Sequence, residues 1–224
     1  VNMGYNWFIN SQQMSDGTPT GNAIVIWLYC YNIIRSANEV IATNMPHIDL
    51  DNPDDNTEQL KLYVAQAAAF RAFAYTYLAQ SFQFTYDGHQ NDPCVPIVTE
   101  ENMKEAVNGV ARSTVQQVYD QIIKDLNLAI SYMDGNPVTP ADVLDSKPKR
   151  FVSLGAAYGL RARANLLMCK WADAASDAQA ALDLSGAKPL SLEEASLPGF
   201  NDISAHNWIW GIAIAETDRV VTTG

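Results

Sequence analysis

The stretch YVAQAAAFRAFAYTYLAQSF, residues 63–82, decides the fold. It runs without Gly or Pro and interleaves seven alanines with large aromatic rings. Alanine lets a neighbouring backbone approach closely, and the rings fill the gaps on either side, so this is the surface of a helix packed on more than one side. Residues 151–184, FVSLGAAYGLRARANLLMCKWADAASDAQAALDL, repeat that texture around a short break near Cys169 and Lys170. Two such stretches in one chain suggest stacked helix pairs.

Working outward, NAIVIWLYCYNIIRSANEVIATN places Ile26, Tyr29, Ile33 and Ala37 on one helical face, extended by Val40 and Ile41. The spacing predicts a helix over 23–43 that ends before Pro46. After the acidic link HIDLDNPDDNTEQ, Thr57 is the expected N-cap of a second helix running to Phe82, and the two should form an antiparallel hairpin. Residues 83–112 are rich in Gly, Pro, Asn and Asp and read as a long loop with a short extended piece at CVPIV. Val115, Val118, Ile122, Leu126, Ala129 and Met133 then recur at helical spacing, with Ser113 and Gln116 as the expected capping box. Helices over 152–168 and 171–184 follow a turn-rich connection. From Ser185 the pattern becomes loop-like, and NWIWGIAIAETDRVV reads as an extended segment.

The last helix pair carries Tyr158, Ala162, Trp171, Ala174 and Ala181 where a tetratricopeptide repeat places its bulky and small residues, while Asn165 and Gly186 stand where an aromatic and a proline are usual. The expected fold class is therefore all-α: a tetratricopeptide-like helical repeat with long irregular loops. It divides into an irregular start (1–22), a helical domain (23–184) and an extended segment (185–224).

Composition excludes several function classes. The 224-residue chain has a formal net charge of −11, which opposes binding to nucleic acid or anionic lipid. No apolar run approaches the roughly 20 residues that span a bilayer, and the first residues lack a signal-peptide pattern. Cys30, Cys94 and Cys169 are widely spaced and odd in number, so Cys30 and Cys169 read as small core residues. His47, His89 and His206 lie in separate loops without metal spacing, and no nucleophile, phosphate or dinucleotide motif is present. The acidic pairs Glu100/Glu101 and Asp54/Asp55 read as solvated charge rather than a glycosidase pair, and DLDNPDDN lacks the glycine and distal glutamate of a calcium loop. No enzyme activity, metal or cofactor is expected.

The segments WLYCYNIIRSANEVI, AAAFRAFAYTYLAQSF, VPIVTEEN, RSTVQQVYDQIIKDLNLAI, AAYGLRARANLLMCKWADAASDAQAAL and NWIWGI resemble, in sequence and order, the N-terminal half of the SusD/RagB family. The resemblance implies a lipid-anchored protein on the cell surface of a bacterial outer membrane. Such a protein binds oligosaccharide, or in some members peptide, and caps a SusC-like TonB-dependent transporter. It also implies a lipidated cysteine and a first helix upstream of Val1, and a loop-rich ligand-binding portion beyond Gly224. Only ten residues separate Asp16 from Trp27, where many members carry a longer loop with ligand-stacking aromatics. The alternative is a tetratricopeptide-type scaffold for proteins or peptides without carbohydrate affinity.

Sugar binding needs flat apolar rings for the C–H face and amides or carboxylates for hydroxyls. Two loops mix these groups: Tyr5, Trp7, Phe8, Asn10 and Asp16 at the start, and Phe84, Tyr86, Asp87 and Asn91 in the long loop. Trp7, Asn10, Asp16, Tyr86 and Asp87 are the expected ligand contacts. Trp27, Phe70, Phe73 and Trp171 are assigned to packing, Trp208 and Trp210 to the core or a domain junction, and Arg71 to an acidic partner or carbonyl.

Overall fold

The computed structural model describes residues 22–144, 149–197 and 202–211. Among them are seven α-helices: α1 (Asn22–Asn44), α2 (Asp55–Phe82), α3 (Val115–Met133), α4 (Pro140–Val143), α5 (Leu154–Leu167), α6 (Trp171–Ser185) and α7 (Leu192–Ser196). No strand occurs among the described residues; one isolated antiparallel bridge joins Pro93 to Thr114. The all-α, tetratricopeptide-like reading of the sequence holds. The five-residue α7 interrupts what the sequence suggests is a continuous extended segment after Ser185.

Side chains set the helix ends, at two of them one position or more from the expected residue. Asp54, not Thr57, caps α2: its carboxylate accepts from Thr57 N–H at 2.7 Å. At α3 the capping box is Thr114 with Gln117, one residue beyond the expected Ser113 and Gln116. Ser113 is held extended by two backbone bonds to the long loop, Cys94 N–H to its carbonyl (2.7 Å) and its own N–H to Val95 O (3.1 Å), so the helix cannot start on it. Gly186 ends α6 in the left-handed conformation, φ 64°, with its N–H on Leu182 O.

The long helices pack as antiparallel neighbours. Trp27 meets Phe82 while Asn38 meets Arg71 across α1 and α2, and Asn127 meets Arg161 across α3 and α5. Helix α2 is the centre: Ala65, Ala68, Ala69, Ala72 and Ala74 have no exposed surface although they point to more than one side. One core gathers Ile34, Tyr75, Leu78, Val118, Ile122 and Leu126; a second gathers Ile41, Leu62, Val64, Ile130 and Val152. Between α5 and α6, Gly155 allows an approach so close that a Cβ there would lie 3.2 Å from Ala181 O and from Ser185 N.

Three expectations about packing are corrected. The buried stripe of α1 is Cys30, Ile34, Ala37, Asn38 and Ile41, rotated from the predicted face; Tyr29 is 68% exposed and Val40 exposed. The rotation follows from Asn38, a polar residue that apolar periodicity passes over but that is fully buried with partners. Cys169 is exposed at φ 60° in the α5–α6 turn, whereas Cys94 joins Cys30 in the core. Trp171 is 63% exposed at the start of α6.

Residues 202–211 lie across the helices. Gly211 N–H bonds Lys149 O, the Trp210 indole N–H bonds Arg150 O, and the Trp210 ring meets Phe70 and Phe73 edge-on at 5.8 and 5.1 Å. Trp210 thus fastens the later segment onto α2.

Candidate functional site

The connection from α2 to α3, residues 83–114, is built on a buried charge. Arg71, 2% exposed, forms a bidentate pair with Asp125 of α3 (Nε–Oδ2 2.8 Å, Nη2–Oδ1 2.7 Å) and donates from Nη1 to Asn38 Oδ1 of α1 (2.7 Å) and to Glu100 of the loop. Gln121 donates to the same Asp125 carboxylate. Burial alone would depress the guanidinium, but Asp125 and Glu100 outweigh it and hold its pKa above the ordinary arginine value. Burial pushes the Asp125 carboxyl up against the pull of Arg71; at Glu100, less buried, Arg71 prevails over burial and holds the carboxyl below its ordinary value. Glu100 is thus a paired, partly buried carboxylate rather than solvated charge.

Around that charge the stretch 94–102 is pinned through its backbone. Tyr31 donates to Pro96 O (2.7 Å) and Asn38 to Val98 O (3.0 Å), while the Tyr75 hydroxyl donates to Val98 O (2.9 Å) and accepts from Val98 N–H (2.8 Å). Burial raises the pKa of both tyrosines, so each hydroxyl keeps its proton and serves as a donor. Arg112 closes the loop base on Cys94 O and Pro93 O.

Residues 83–93 project from this base. The Tyr86 ring is half-buried against Tyr119, 5.2 Å away and edge-on, and its hydroxyl bonds Gln116. Asp87 is exposed. Phe84 is 76% exposed, with the His89 ring 5.2 Å away at 33°. Of the five expected contacts, Tyr86 and Asp87 are therefore neighbours on one loop, and Trp7, Asn10 and Asp16 lie outside the described residues. The sequence reading takes Tyr86 from this mixture and leaves Phe84 out, whereas Phe84 is the more exposed of the two rings; aromatic content alone does not tell which ring faces water.

Other parts of the chain offer less chemistry. Asp49 accepts from Asp51 N–H and Asn52 N–H, folding the acidic link into a turn. Among the described residues no group of three His, Cys, Asp or Glu converges to hold a metal ion, and no helix is long and apolar enough to cross a membrane. A groove of about 720 Å³ runs between α1 and α2, lined by Tyr29, Ile33, Val40, Tyr63, Phe70 and Phe151 among others.

Comparison with known proteins gives this scaffold a context. The sequence profile of a SusD-like family described as starch-binding and associating with the outer membrane matches residues 2–166. None of the curated proteins matches the chain. Among solved structures, a SusD-like carbohydrate-binding protein from Bacteroides vulgatus is 27% identical with a TM-score of 0.70, over 85% of this chain and 37% of its own. A protein described as a putative sugar-binding protein, also from Bacteroides vulgatus, is 26% identical with a TM-score of 0.55, over 70% of this chain and 32% of its own. A SusD superfamily protein from Bacteroides thetaiotaomicron shares the fold at 20% identity and a TM-score of 0.66, over 85% and 39%. The chain thus spans less than two fifths of the length of these structures. With helix order, fold and profile in agreement over most of its length, the chain belongs to the SusD-like family.

Proposed function

We propose that this chain serves glycan capture at the outer surface of a bacterium, binding oligosaccharide or polysaccharide and passing it to a SusC-like TonB-dependent transporter, without altering the sugar. The observation that carries the reading is the family profile over residues 2–166, supported by the carbohydrate-binding description of the 27% identical structure. In this reading the protein is held at the outer membrane by a lipid anchor outside the present chain. Residues 1–22, 23–184 and 185–224 are then an irregular start, the helical scaffold and a segment leading to a further ligand-binding portion.

Ligand contact within the chain falls on loops: Trp7, Asn10 and Asp16 at the start, and Tyr86 with Asp87 in the α2–α3 connection. Asp87 offers its exposed carboxylate to hydroxyls, and Tyr86 offers the part of its ring not covered by Tyr119. The groove between α1 and α2 favours a second reading, a scaffold for protein or peptide segments.

Titration against a panel of polysaccharides, with reducing ends assayed in parallel, separates these readings. Binding without release of sugar supports glycan capture, release makes the protein a hydrolase, and no affinity for any polysaccharide leaves the scaffold. A Trp7→Ala/Tyr86→Ala double variant that keeps full affinity and its fold places the contacts elsewhere.

A further inference from the structure

A single exposed phenylalanine needs no explanation by itself. Phe84 differs because its position is fixed. The Gln83 side chain bridges the loop, accepting from Phe84 N–H and donating to Pro93 O, both at 2.8 Å. The far arm is tied to the start of α3 by Val115 N–H on Asp92 O (3.0 Å) and Gln116 N–H on Gln90 O (2.9 Å). His89, which packs against the Phe84 ring, is held by its Nδ1 contact with Asp92 Oδ2 at 2.6 Å and by its N–H on Tyr86 O at 3.1 Å. An apolar ring is therefore preorganised with one side backed and 76% of its surface in water.

We propose that Phe84 is a sugar-stacking ring, held by Gln83 and backed by His89, that takes the apolar face of a neutral hexopyranose. The inference rests on the glycan-binding reading and names the ring and the ligand class within it. The other exposed residues of the same loop carry sugar chemistry rather than protein-interface chemistry: Thr85, Asp87 and Asn91 supply hydroxyl, carboxylate and amide, and Gly88 leaves its backbone open. Carboxylates at Asp87 and Asp92, within a chain of net charge −11, repel uronic or sulfated glycans, which leaves neutral sugars. A ring without a polar handle grips through C–H contact, which is greatest for a pyranose with equatorial hydroxyls and axial hydrogens, as in gluco-configured units.

The test is calorimetric titration of the protein with maltohexaose, cellohexaose and an oligogalacturonate, repeated on Phe84→Ala and Phe84→Trp. The expected result is that a neutral hexaose binds in preference to the oligogalacturonate, F84A weakens it about 10-fold, and F84W keeps it. Circular dichroism should be unchanged in both variants. Equal affinity of wild type and F84A for the hexaose overturns the stacking role while leaving glycan capture standing. Preference for the oligogalacturonate overturns the ligand class. If neither hexaose binds, the proposal falls, and the wider polysaccharide panel then decides whether glycan capture falls with it. A loss of copurification with the transporter in F84A, at unchanged sugar affinity, would reassign the ring to a protein contact.

Discussion

Arg71 is the residue whose neighbours define the molecule, because one guanidinium joins α1, α2, α3 and the long loop. Removing it strands Asp125, 1% exposed, as a buried carboxylate without its cation. Arg71→Met should therefore cost about 3–5 kcal/mol in a urea titration, the range for breaking one side of a buried pair. An Arg71→Met/Asp125→Leu double variant should recover much of that loss, and a double variant no more stable than the single would show that the charge is not the issue. Glu100 adds a pH signature. Its folded pKa lies below the ordinary value, so its stabilisation is present above about pH 4.5 and fades as pH falls through the folded value. Asp125, raised by burial, has the opposite sign; Glu100 adds only the last and smallest of the causes that shift it, after burial, Arg71 and Gln121, so most of its contribution is shared by wild type and Glu100→Gln. Unfolding curves between about pH 5 and pH 3 should show wild type losing its advantage over E100Q; parallel curves would mean Glu100 is not held by Arg71.

Helix bounds were legible in the sequence to within a residue or two for α1, α5 and α6 and at the end of α2, because alanine-rich periodicity and Pro or Gly punctuation act locally; α2 starts three residues earlier than expected, on the Asp54 cap. The phase of α1 was not, because buried Asn38 does not register as apolar although its carboxamide is paired to Val98 O and Arg71. The cap of α3 moved by one because a loop partner, not a local preference, holds Ser113. At the candidate site the loop and its residue types were readable, but the different exposure of Phe84 and Tyr86 depends on Gln116 and Tyr119, about 30 residues along the chain. Helix α5 offers a paired test. Gly155→Leu must force apart α5 and α6 where a Cβ already meets backbone at 3.2 Å, costing about 1–3 kcal/mol in thermal unfolding. Gly159→Ala places its Cβ an ordinary 3.7 Å from Ala181 and should stabilise by about 0.5–1 kcal/mol. Equal effects at the two positions would contradict the close approach at Gly155.

At the scale of the whole molecule, two cores are bridged by α2, and the later segment is attached by the Trp210 and Ile209 side chains together with hydrogen bonds from Lys149 and Lys188. Trp210→Ala should speed amide exchange at Gly211 and Lys188, whose bonds to Lys149 O and His206 O depend on that attachment, while amides of Ile122 and Leu126 keep their protection. Uniform loss of protection would mean that residues 202–211 hold the helices together rather than rest on them. Arg71 also has a consequence in time. Its partners stand 33 residues before it and 29 and 54 after it, so the guanidinium can be satisfied only after three separate chain closures have been made. Such a contact is completed late in folding and broken early on the way out, which gives the clamp the character of a latch on the exit route: it sets how long the native state lasts more than how fast it is reached.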